Sequence, residues 1–378
     1  MPKNALNAVL LFVAGCFCLP LAALEEGKFR PISYDYPALT RTEAGPALDW
    51  QAVPVADPRL AFLLDIPESA LVDKKFWPER DLWDRLRNGF AIPDIASPLL
   101  VDRERWYAQR RDLVLTMSEK ARRYLHHIVE SVERRKLPLE LALLPMVESG
   151  FEPAALSSAQ AAGLWQFIPG TATRYRLAQN EHYDARRDII ASTEAALDYL
   201  EFLFAKFHDW HLALAGYNWG EEAVARAVAR NQAKGLPIDF DHLVMPEETR
   251  YYVPKLLALR NLVLDPEAYA ISLAEIADTP YFAEIDVAVA LDVDAVARMA
   301  NLPANEVRAL NPSHKSMLIS GKGKPALLLP VERLETFRDS VAAWRSARQP
   351  GGAAPLSGKS RIAPGGLRVA TDKPPRRM

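Results

Sequence analysis

The sequence predicts a predominantly α-helical protein, α+β overall, with a small β-α-α-β unit near its C-terminal end. Between residues 118 and 264 apolar side chains recur at intervals of three and four, the period of an amphipathic helix, and no segment alternates like a strand. After Asp265 the pattern changes: residues 281–289 alternate like a strand, two short helical segments follow, and residues 326–329 form a second strand-like run. We therefore expect a helical domain followed by a smaller one.

The composition fits two folded domains and excludes several classes of function. The chain has 378 residues, 49% of them hydrophobic, and its net charge of -2 argues against nucleic acid as the main partner. Cys16 and Cys18, the only cysteines, lie in an apolar N-terminal run, so no disulfide framework, thiol nucleophile or cysteine metal cluster is expected in the folded part. His208 and His211 are three residues apart but no third ligand is evident. We expect no metal or organic cofactor.

Residues 1–24 are typical of an export signal, with Lys3 before an apolar segment and small residues near its end. Residues 13–16 fit a lipobox, in which Cys16 would be lipidated and become the mature N-terminus. The alternative is cleavage after Ala23 by an ordinary signal peptidase, because the chain stays apolar beyond Cys18. Both interpretations predict export to a bacterial periplasm. The lipobox also predicts a lipid anchor, as in an outer-membrane lipoprotein.

Two segments precede the main helical domain. Residues 25–59 are rich in Pro and Ala without a clear period, which predicts an extended leader. Residues 60–117 show helical segments with polar breaks and are predicted to form a helical layer that packs on the main domain. Within this layer one helix is predicted over residues 81–90, where four apolar side chains share a stripe: Leu82, Trp83, Leu86 and Phe90.

The main helical domain is predicted over residues 118–265. Pro145 lacks an amide hydrogen and should kink the helix predicted over residues 139–149 just before Glu148. Asp188 is a good N-cap for a helix over residues 189–207. The remaining helices of this domain are predicted over residues 210–216, 221–231 and 247–264.

The C-terminal region is predicted to contain one more folded unit and a tail. In the β-α-α-β unit, residues 280–334, the two helices are predicted over 293–300 and 304–310. Residues 346–378 are rich in Gly, Pro, Ser and Arg and carry a net charge of +6 from seven basic residues and one acid. This composition predicts a disordered basic tail.

Glu148 is the most informative residue of the chain. It is the only ionisable side chain in the apolar residues 143–151 (LLPMVESGF). A carboxyl group in such a setting loses hydration, which raises its pKa and lets it stay protonated near neutral pH, as a general acid requires. The alternative interpretation is that Glu148 only forms the polar face of a helix.

A second carboxylate for glycosidic bond cleavage is not evident, although such cleavage normally uses a pair. Glu152 should be turned outward by the end of the helix, and Asp184 and Asp188 flank two arginines and look like salt-bridged caps. A lone acid suffices if the substrate supplies its own nucleophile. The N-acetyl group of an N-acetylhexosamine can do so, and an internal hydroxyl can then complete the reaction without water.

Four segments in this order resemble the motifs of soluble-lytic-transglycosylase domains, a family related to goose-type lysozyme. They are residues 148–151 (ESGF), 163–169 (GLWQFIP), 215–220 (AGYNWG) and 248–255 (ETRYYVPK). The resemblance covers about residues 81–264 and implies a lysozyme-like helical catalytic domain. It implies cleavage of the β-1,4 bond between N-acetylmuramic acid and N-acetylglucosamine in peptidoglycan strands. The muramyl 6-hydroxyl would attack the anomeric carbon and leave a 1,6-anhydro end.

The resemblance also implies the role of seven residues. Glu148 corresponds to the single catalytic acid, which later acts as base, and Tyr252 to a tyrosine that orients it. Gly163 corresponds to a glycine that lets the backbone approach the sugar. From the residues alone, Tyr217 and Tyr252 could equally be core aromatics, and Ser158 competes with Ser157. The substrate-binding residues implied in this way are Ser157, Gly163, Gln166, Tyr217, Asn218 and Tyr252.

The C-terminal β-α-α-β unit resembles a LysM-type peptidoglycan-binding module, with Asn311 and Pro312 after the second helix in the expected place. Residues 291–294 (LDVD) stand where such modules carry a Gly-Asp-Thr turn. Both a glycan-binding role and a purely structural role therefore stay open. In the helical domain, Glu222 departs from the third motif and could alter one wall of the cleft.

Two other functions compete with the transglycosylase interpretation. A hydrolytic muramidase or chitinase would use the same acid with water as the nucleophile, and would need a second carboxylate in the cleft. A peptidoglycan-binding scaffold would carry an inactive enzyme domain, which the presence of Glu148, Gln166 and Tyr252 argues against.

Overall fold

The computed structural model describes residues 81–285, 291–315, 318–319 and 326–346. The predicted signal (1–24), leader (25–59), first part of the helical layer and basic tail lie outside these described residues. The described part divides into two compact units, the first formed by residues 81–282 and 309–315 and the second by residues 283–308 and 316–346. In the described part of the chain, no helix is both long and apolar enough to cross a membrane.

The first unit is built from helices, which confirms the predicted fold class. It contains α1 (Leu82–Asn88), α2 (Pro98–Ala108), α3 (Arg111–Ala121), α4 (Leu125–Arg134), α5 (Leu144–Glu148), α6 (Pro169–Arg174), α7 (Ile189–Phe207), α8 (Trp210–Trp219), α9 (Glu221–Gln232) and α10 (Glu247–Leu264), with 3₁₀ turns at Leu139–Leu143 and Phe240–His242.

Helix α10 is the central element of the first unit. It packs against α2, α8 and the short helix α5. Most of its apolar side chains are almost completely removed from water, including Val253, Leu256 and Leu257. Burial of this kind stabilises a helix more than its intrinsic propensity does. Because α5 ends at Glu148, its packing on α10 brings Glu148 and the start of α10 together.

The segment before Glu148 differs from the prediction. Residues 139–149 do not form one helix with a kink at Pro145. Instead, a 3₁₀ turn over Leu139–Leu143 gives way to α5, and Pro145 lies in the first turn of α5. A first-turn residue needs no amide hydrogen, so the proline fits there without breaking a hydrogen bond. After Glu148, Ser149 and Phe151 both donate their backbone N–H to the Pro145 carbonyl oxygen, at 3.1 and 3.0 Å.

The predicted start of α7 is confirmed. The Asp188 carboxylate accepts hydrogen bonds from the backbone N–H groups of Ile190 (3.0 Å) and Ala191 (2.8 Å), the arrangement of an N-cap. Helix α10 has the predicted bounds, whereas α8 continues to Trp219, three residues beyond the predicted end. The third motif, residues 215–220, therefore lies mostly on a helix.

The second unit has the predicted β-α-α-β order with additions. Strand β1 (Phe282–Ile285) pairs with β4 (Leu327–Pro330), and β2 (Leu291–Asp292) pairs antiparallel with β3 (Leu318–Ile319). Helices α11 (Val293–Met299) and α12 (Ala304–Leu310) lie between β2 and β3 in the chain. Helix α13 (Leu334–Ser346), which was not predicted, contributes Leu334 and Phe337 to the apolar core.

Candidate active site

The proposed acid and its proposed positioning tyrosine are in direct contact. Glu148 is the last residue of α5 and is 8% exposed, and Tyr252 of α10 is 3% exposed. The Tyr252 hydroxyl donates a hydrogen bond to Oε1 of Glu148. Burial raises the pKa of Glu148 to about 8, with a further contribution from the negative charge of Glu248, against the opposing effects of Tyr252 and Lys255. A carboxyl group with this pKa holds its proton at neutral pH.

Tyr217 is close enough to Glu148 for the charge of that carboxylate to act on it. Its hydroxyl donates a hydrogen bond of 2.9 Å to the carbonyl oxygen of Trp165, which joins α8 to the second motif. Burial raises the pKa of Tyr217 well above its usual value, and the negative charge of Glu148 adds to that rise. The structure thus brings together Glu148, Tyr217 and Tyr252 from three of the four motifs.

Asn218 connects the third motif to the fourth. Its side-chain oxygen accepts a hydrogen bond of 2.8 Å from the Thr249 hydroxyl. Its side-chain nitrogen approaches Oε1 of Glu248 at 3.5 Å. These contacts tie the end of α8 to the first turn of α10, so Asn218 has a structural task as well as the substrate contact expected from the sequence.

Ser157 and Gln166 lie on one irregular loop, residues 155–167. The Ser157 hydroxyl oxygen accepts a hydrogen bond of 3.0 Å from the Ala161 backbone N–H, and a hydroxyl in this role can still donate to another group. Gln166 has a φ of +49°, and its side-chain nitrogen donates to the Gly163 carbonyl oxygen at 2.8 Å. The Ser149 hydroxyl, next to Glu148, bonds to the Leu164 carbonyl oxygen at 3.0 Å and ties this loop to the end of α5.

Gly163 is required for a reason that the sequence did not reveal. The sequence suggested that this glycine lets the backbone approach a sugar. In the structure its φ is +85°, and a Cβ atom built on it would lie 1.9 Å from the Arg186 carbonyl oxygen. Close packing of two backbone segments within the protein therefore already excludes any larger residue, and a substrate contact at Gly163 stays a prediction.

We expect Gly163→Ala to destabilise the protein by about 1–3 kcal/mol or more, because the substitution combines a left-handed backbone with a steric clash. Gly170→Ala is the matched control, since a Cβ atom at Gly170 meets nothing within 4 Å and alanine favours the helix α6. Thermal unfolding of both variants measures the effect. Equal melting temperatures would contradict the close approach of Arg186.

The buried pair of Asp184 and Arg186 was only partly predicted. The guanidinium of Arg186 binds the Asp184 carboxylate through two nitrogens, at 2.9 and 2.8 Å, which confirms the predicted salt bridge. Burial works to raise the pKa of Asp184, but the bonds and charge of Arg186 outweigh it and lower the pKa. The sequence did not show that Arg186 also donates to the carbonyl oxygens of Gln160 (2.5 Å) and Phe167 (3.2 Å). Arg186 thereby holds both sides of the 155–167 loop.

A second buried ion pair is connected to Tyr217 through the ring of Tyr199, and no sequence pattern predicts it. Glu221 is 1% exposed, and its carboxylate accepts hydrogen bonds from Arg174 Nη1 (2.7 Å) and the Tyr199 hydroxyl (2.8 Å). The ring of Tyr199 lies 5.4 Å from the ring of Tyr217. The neighbouring Glu222 forms a 2.5 Å ion pair with Lys206, and its effect on the cleft wall stays a prediction.

The carboxylates weighed in the sequence as a second catalytic group (Glu152, Asp184 and Asp188) are engaged elsewhere. Glu152 forms an ion pair with Lys120 at 3.1 Å, in keeping with its predicted outward direction. Asp188 caps α7. Glu248 is half-buried, and its negative charge helps to raise the pKa of Glu148. The Glu248 carboxylate itself is approached by the side-chain nitrogen of Asn218.

Comparison with known proteins defines the class of both folded regions. Residues 128–238 match the family described as Transglycosylase SLT domain. Residues 281–346 match the family described as Lytic transglycosylase MltD, LysM-like domain. The chain therefore contains an SLT transglycosylase domain followed by a LysM-like domain, and the resemblance expected from the four motifs is confirmed.

Particular relatives are similar over a longer stretch. The membrane-bound lytic murein transglycosylases D of Escherichia coli strains K12 and O6:H1 are each 35% identical to this chain over 275 residues. The similar region makes up 71% of this chain and 60% of each relative. The chain thus spans less than two thirds of the length of these relatives.

Proposed function

We propose that this protein is a peptidoglycan lytic transglycosylase that cleaves the β-1,4 bond between N-acetylmuramic acid and N-acetylglucosamine without water. The observation that carries this proposal is the buried Glu148 carboxyl group, protonated at neutral pH and hydrogen-bonded to Tyr252. The SLT domain match and the similarity to lytic murein transglycosylase D support the same reaction.

In the proposed reaction Glu148 acts first as acid and then as base. Its proton goes to the glycosidic oxygen as the bond from that oxygen to the muramyl C1 breaks, which releases N-acetylglucosamine with a free 4-hydroxyl. The N-acetyl group of the muramyl residue stabilises the anomeric carbon. The Glu148 carboxylate then takes the proton of the muramyl 6-hydroxyl as its oxygen bonds to C1. The product carries a 1,6-anhydro end, and the acid regains its proton.

The surroundings of Glu148 suit both halves of this cycle. Burial makes the neutral acid the resting form at neutral pH, and it also makes the carboxylate formed after proton donation a stronger base. The hydrogen bond from Tyr252 and the charge of Lys255 favour the carboxylate and limit how far its pKa rises. A pKa near the working pH serves proton donation and proton removal alike.

We further propose that the glycan is bound by Ser157 and by residues of the second to fourth motifs, among them Tyr252 of the fourth. The Ser157 hydroxyl and the Gln166 amide lie on the 155–167 loop, which Ser149 joins to the end of α5. Tyr217 lies within electrostatic reach of the acid, and Asn218 follows Tyr217 on α8. We also retain Gly163 in this set, although its packing against Arg186 already accounts for the glycine.

Digestion of purified sacculi tests the reaction directly. We expect mass spectrometry of the released muropeptides to show 1,6-anhydromuramyl ends, which are lighter than the products of hydrolysis by the mass of one water molecule. Reducing ends would instead indicate a hydrolase that recruits a second carboxylate. Release of no muropeptides at all would indicate a peptidoglycan-binding scaffold.

The activity should depend on pH through Glu148. Because the acid must be protonated to start the cycle, kcat/KM should fall about tenfold per pH unit above about pH 8, where the raised pKa of Glu148 lies. The measurement is the initial rate of turbidity loss of sacculi from about pH 5 to about pH 10. A decline that begins near pH 5, typical of an ordinary exposed carboxyl group, would contradict the assignment.

We also propose that the protein acts in the periplasm and that Cys16 carries a lipid anchor. The relatives bear the description membrane-bound, and the lipobox pattern of residues 13–16 supports the anchor. Cys16 lies outside the described residues. We propose that the LysM-like domain either binds the same glycan or has a purely structural role in the protein.

Cys16→Ala is expected to release the protein from the membrane fraction or to block its processing, because the lipidated thiol is lost. Cell fractionation followed by mass determination of the mature protein measures this. Cys18→Ala is the matched control, since it lies in the same apolar run outside the lipobox position. Unchanged fractionation with a mature N-terminus at Leu24 would favour an ordinary signal peptide.

A further inference from the structure

A short segment from the C-terminal half of the chain belongs to the first compact unit. Residues 309–315, here named the strap, are grouped with residues 81–282, although the LysM-like domain match over residues 281–346 includes them. Asn311 and Ser313 of the strap are buried. The SLT domain match ends at residue 238, so sequence similarity alone assigns this segment to the other domain.

The strap is bound by backbone hydrogen bonds to residues 180–184. The Asp184 N–H donates to the Ser313 carbonyl oxygen at 2.8 Å, and the Lys315 N–H donates to the His182 carbonyl oxygen at 2.9 Å. Tyr183 and His314 form an antiparallel bridge between these two bonds. At the start of the strap, the Tyr124 hydroxyl donates to the Ala309 carbonyl oxygen at 2.9 Å. The strap is therefore fixed at both ends.

The residue that the strap holds is the partner of Arg186. The backbone of Asp184 bonds to the strap, while its carboxylate binds the guanidinium of Arg186 through two hydrogen bonds. Arg186 in turn bonds to the carbonyl oxygens of Gln160 and Phe167 on the two sides of the 155–167 loop. A continuous series of hydrogen bonds thus leads from Ser313 to the loop that carries Ser157 and Gln166.

We propose that residues 309–315 position the 155–167 loop for glycan binding, through Asp184 and Arg186. The strap residues are positioning residues, since they reach the substrate only through other groups. The glycan-binding part of this inference rests on the proposed function of Ser157 and Gln166. The Glu148–Tyr252 contact uses none of these bonds. The strap should therefore affect substrate affinity and not the proton-transfer step.

Lys315→Pro in the full-length chain tests the inference. Proline removes the N–H that bonds to His182. Lys315→Ala is the matched control, because it removes the same side chain and keeps that N–H. We expect KM for sacculi to rise about fivefold in Lys315→Pro relative to Lys315→Ala, the effect of losing roughly one hydrogen bond. We expect kcat and the pH profile to stay the same, because Glu148 is not displaced.

A second measurement does not depend on activity. Hydrogen exchange should be about fivefold faster in Lys315→Pro than in Lys315→Ala at the amides of Ala162, Gly163 and Phe167, all hydrogen-bonded within the 155–167 loop. Tyr124→Phe, which loosens the other end of the strap and keeps the ring, should change both readouts in the same direction. It also provides a test if the proline variant does not fold.

The outcomes distinguish the two proposals. Equal exchange and equal KM in Lys315→Pro and Lys315→Ala would overturn the role of the strap. A fall in kcat with unchanged KM would overturn it as well, because the loop would then act on the chemistry and not on binding. If the unaltered protein does not cleave sacculi, the proposed function fails, while the exchange measurement still decides whether the strap orders the loop.

Discussion

Replacing Glu148 with glutamine is expected to abolish glycan cleavage and to leave the fold intact. Glutamine has nearly the same shape and fits beside Tyr252, but its amide cannot deliver a proton. General acid catalysis contributes on the order of 10²–10⁴ in rate, so turnover of sacculi should fall by at least about a hundredfold. A residual rate within about tenfold of the unaltered protein would refute the assignment of Glu148 as the acid.

The same variant has a second expected signature in its stability. The pKa of Glu148 is about 8 in the folded protein and near 4.5 when unfolded. Between these values the folded state holds a proton that the unfolded state has released, so the unaltered protein loses stability as pH rises through this window. The glutamine side chain of the variant does not titrate. The free energy of unfolding of the variant should therefore exceed that of the unaltered protein by a few kcal/mol above about pH 8. Near pH 4 the two free energies should differ little.

Tyr252→Phe is expected to lower kcat by roughly tenfold to a hundredfold, with thermal stability nearly unchanged. The substitution removes the hydroxyl that donates to Oε1 of Glu148 and keeps the buried ring. A hydrogen bond to an ionisable group contributes about 1.5–3 kcal/mol, which appears in the rate if it is felt in the transition state. Because this bond lowers the pKa of Glu148, its loss should also move the alkaline limb of the pH profile to higher pH.

Tyr251→Phe is the matched control for Tyr252→Phe. The ring of Tyr251 lies under the Arg103 guanidinium, whose carbon is 4.6 Å from the ring centre, and the Phe variant retains that contact. We expect its activity to stay within about twofold of the unaltered protein, because the substitution removes only a hydroxyl and keeps the ring. A loss of stability in Tyr252→Phe with normal activity in the folded fraction would make Tyr252 a core residue instead.

The helices of the first unit could be predicted because their signals are local. Asp188 caps α7, and α10 has the predicted bounds, since N-caps and apolar periodicity are properties of neighbouring residues. The break at Leu143 was missed, because both a kinked helix and a 3₁₀ turn followed by α5 accommodate Pro145. Helix α13 was missed although its apolar residues Leu334, Phe337 and Val341 recur at intervals of three and four, because the folded unit was predicted to end at residue 334.

The residues of the candidate site were predicted from their resemblance to the four motifs. The contacts that hold these residues in place were not predicted. The contact of Glu148 with Tyr252 joins residues 104 apart in the chain, and only the order of the motifs indicated it. The loop contacts of Arg186 and the pair of Arg174 with Glu221 depend on how distant backbone segments meet. No local pattern encodes such contacts. The structural need for glycine at Gly163 could not be predicted either, because it comes from the close approach of the Arg186 backbone.

The buried pair of Arg174 and Glu221 restricts how this protein can change in evolution. Their side chains are 7% and 1% exposed, so substitution of either one removes the opposite charge that balances the other away from water. Breaking such a pair costs about 3–5 kcal/mol, whereas exchanging both residues for apolar ones of similar volume is close to neutral. Single substitutions at these positions should therefore be eliminated, and descendants of this sequence should keep both residues or replace them together.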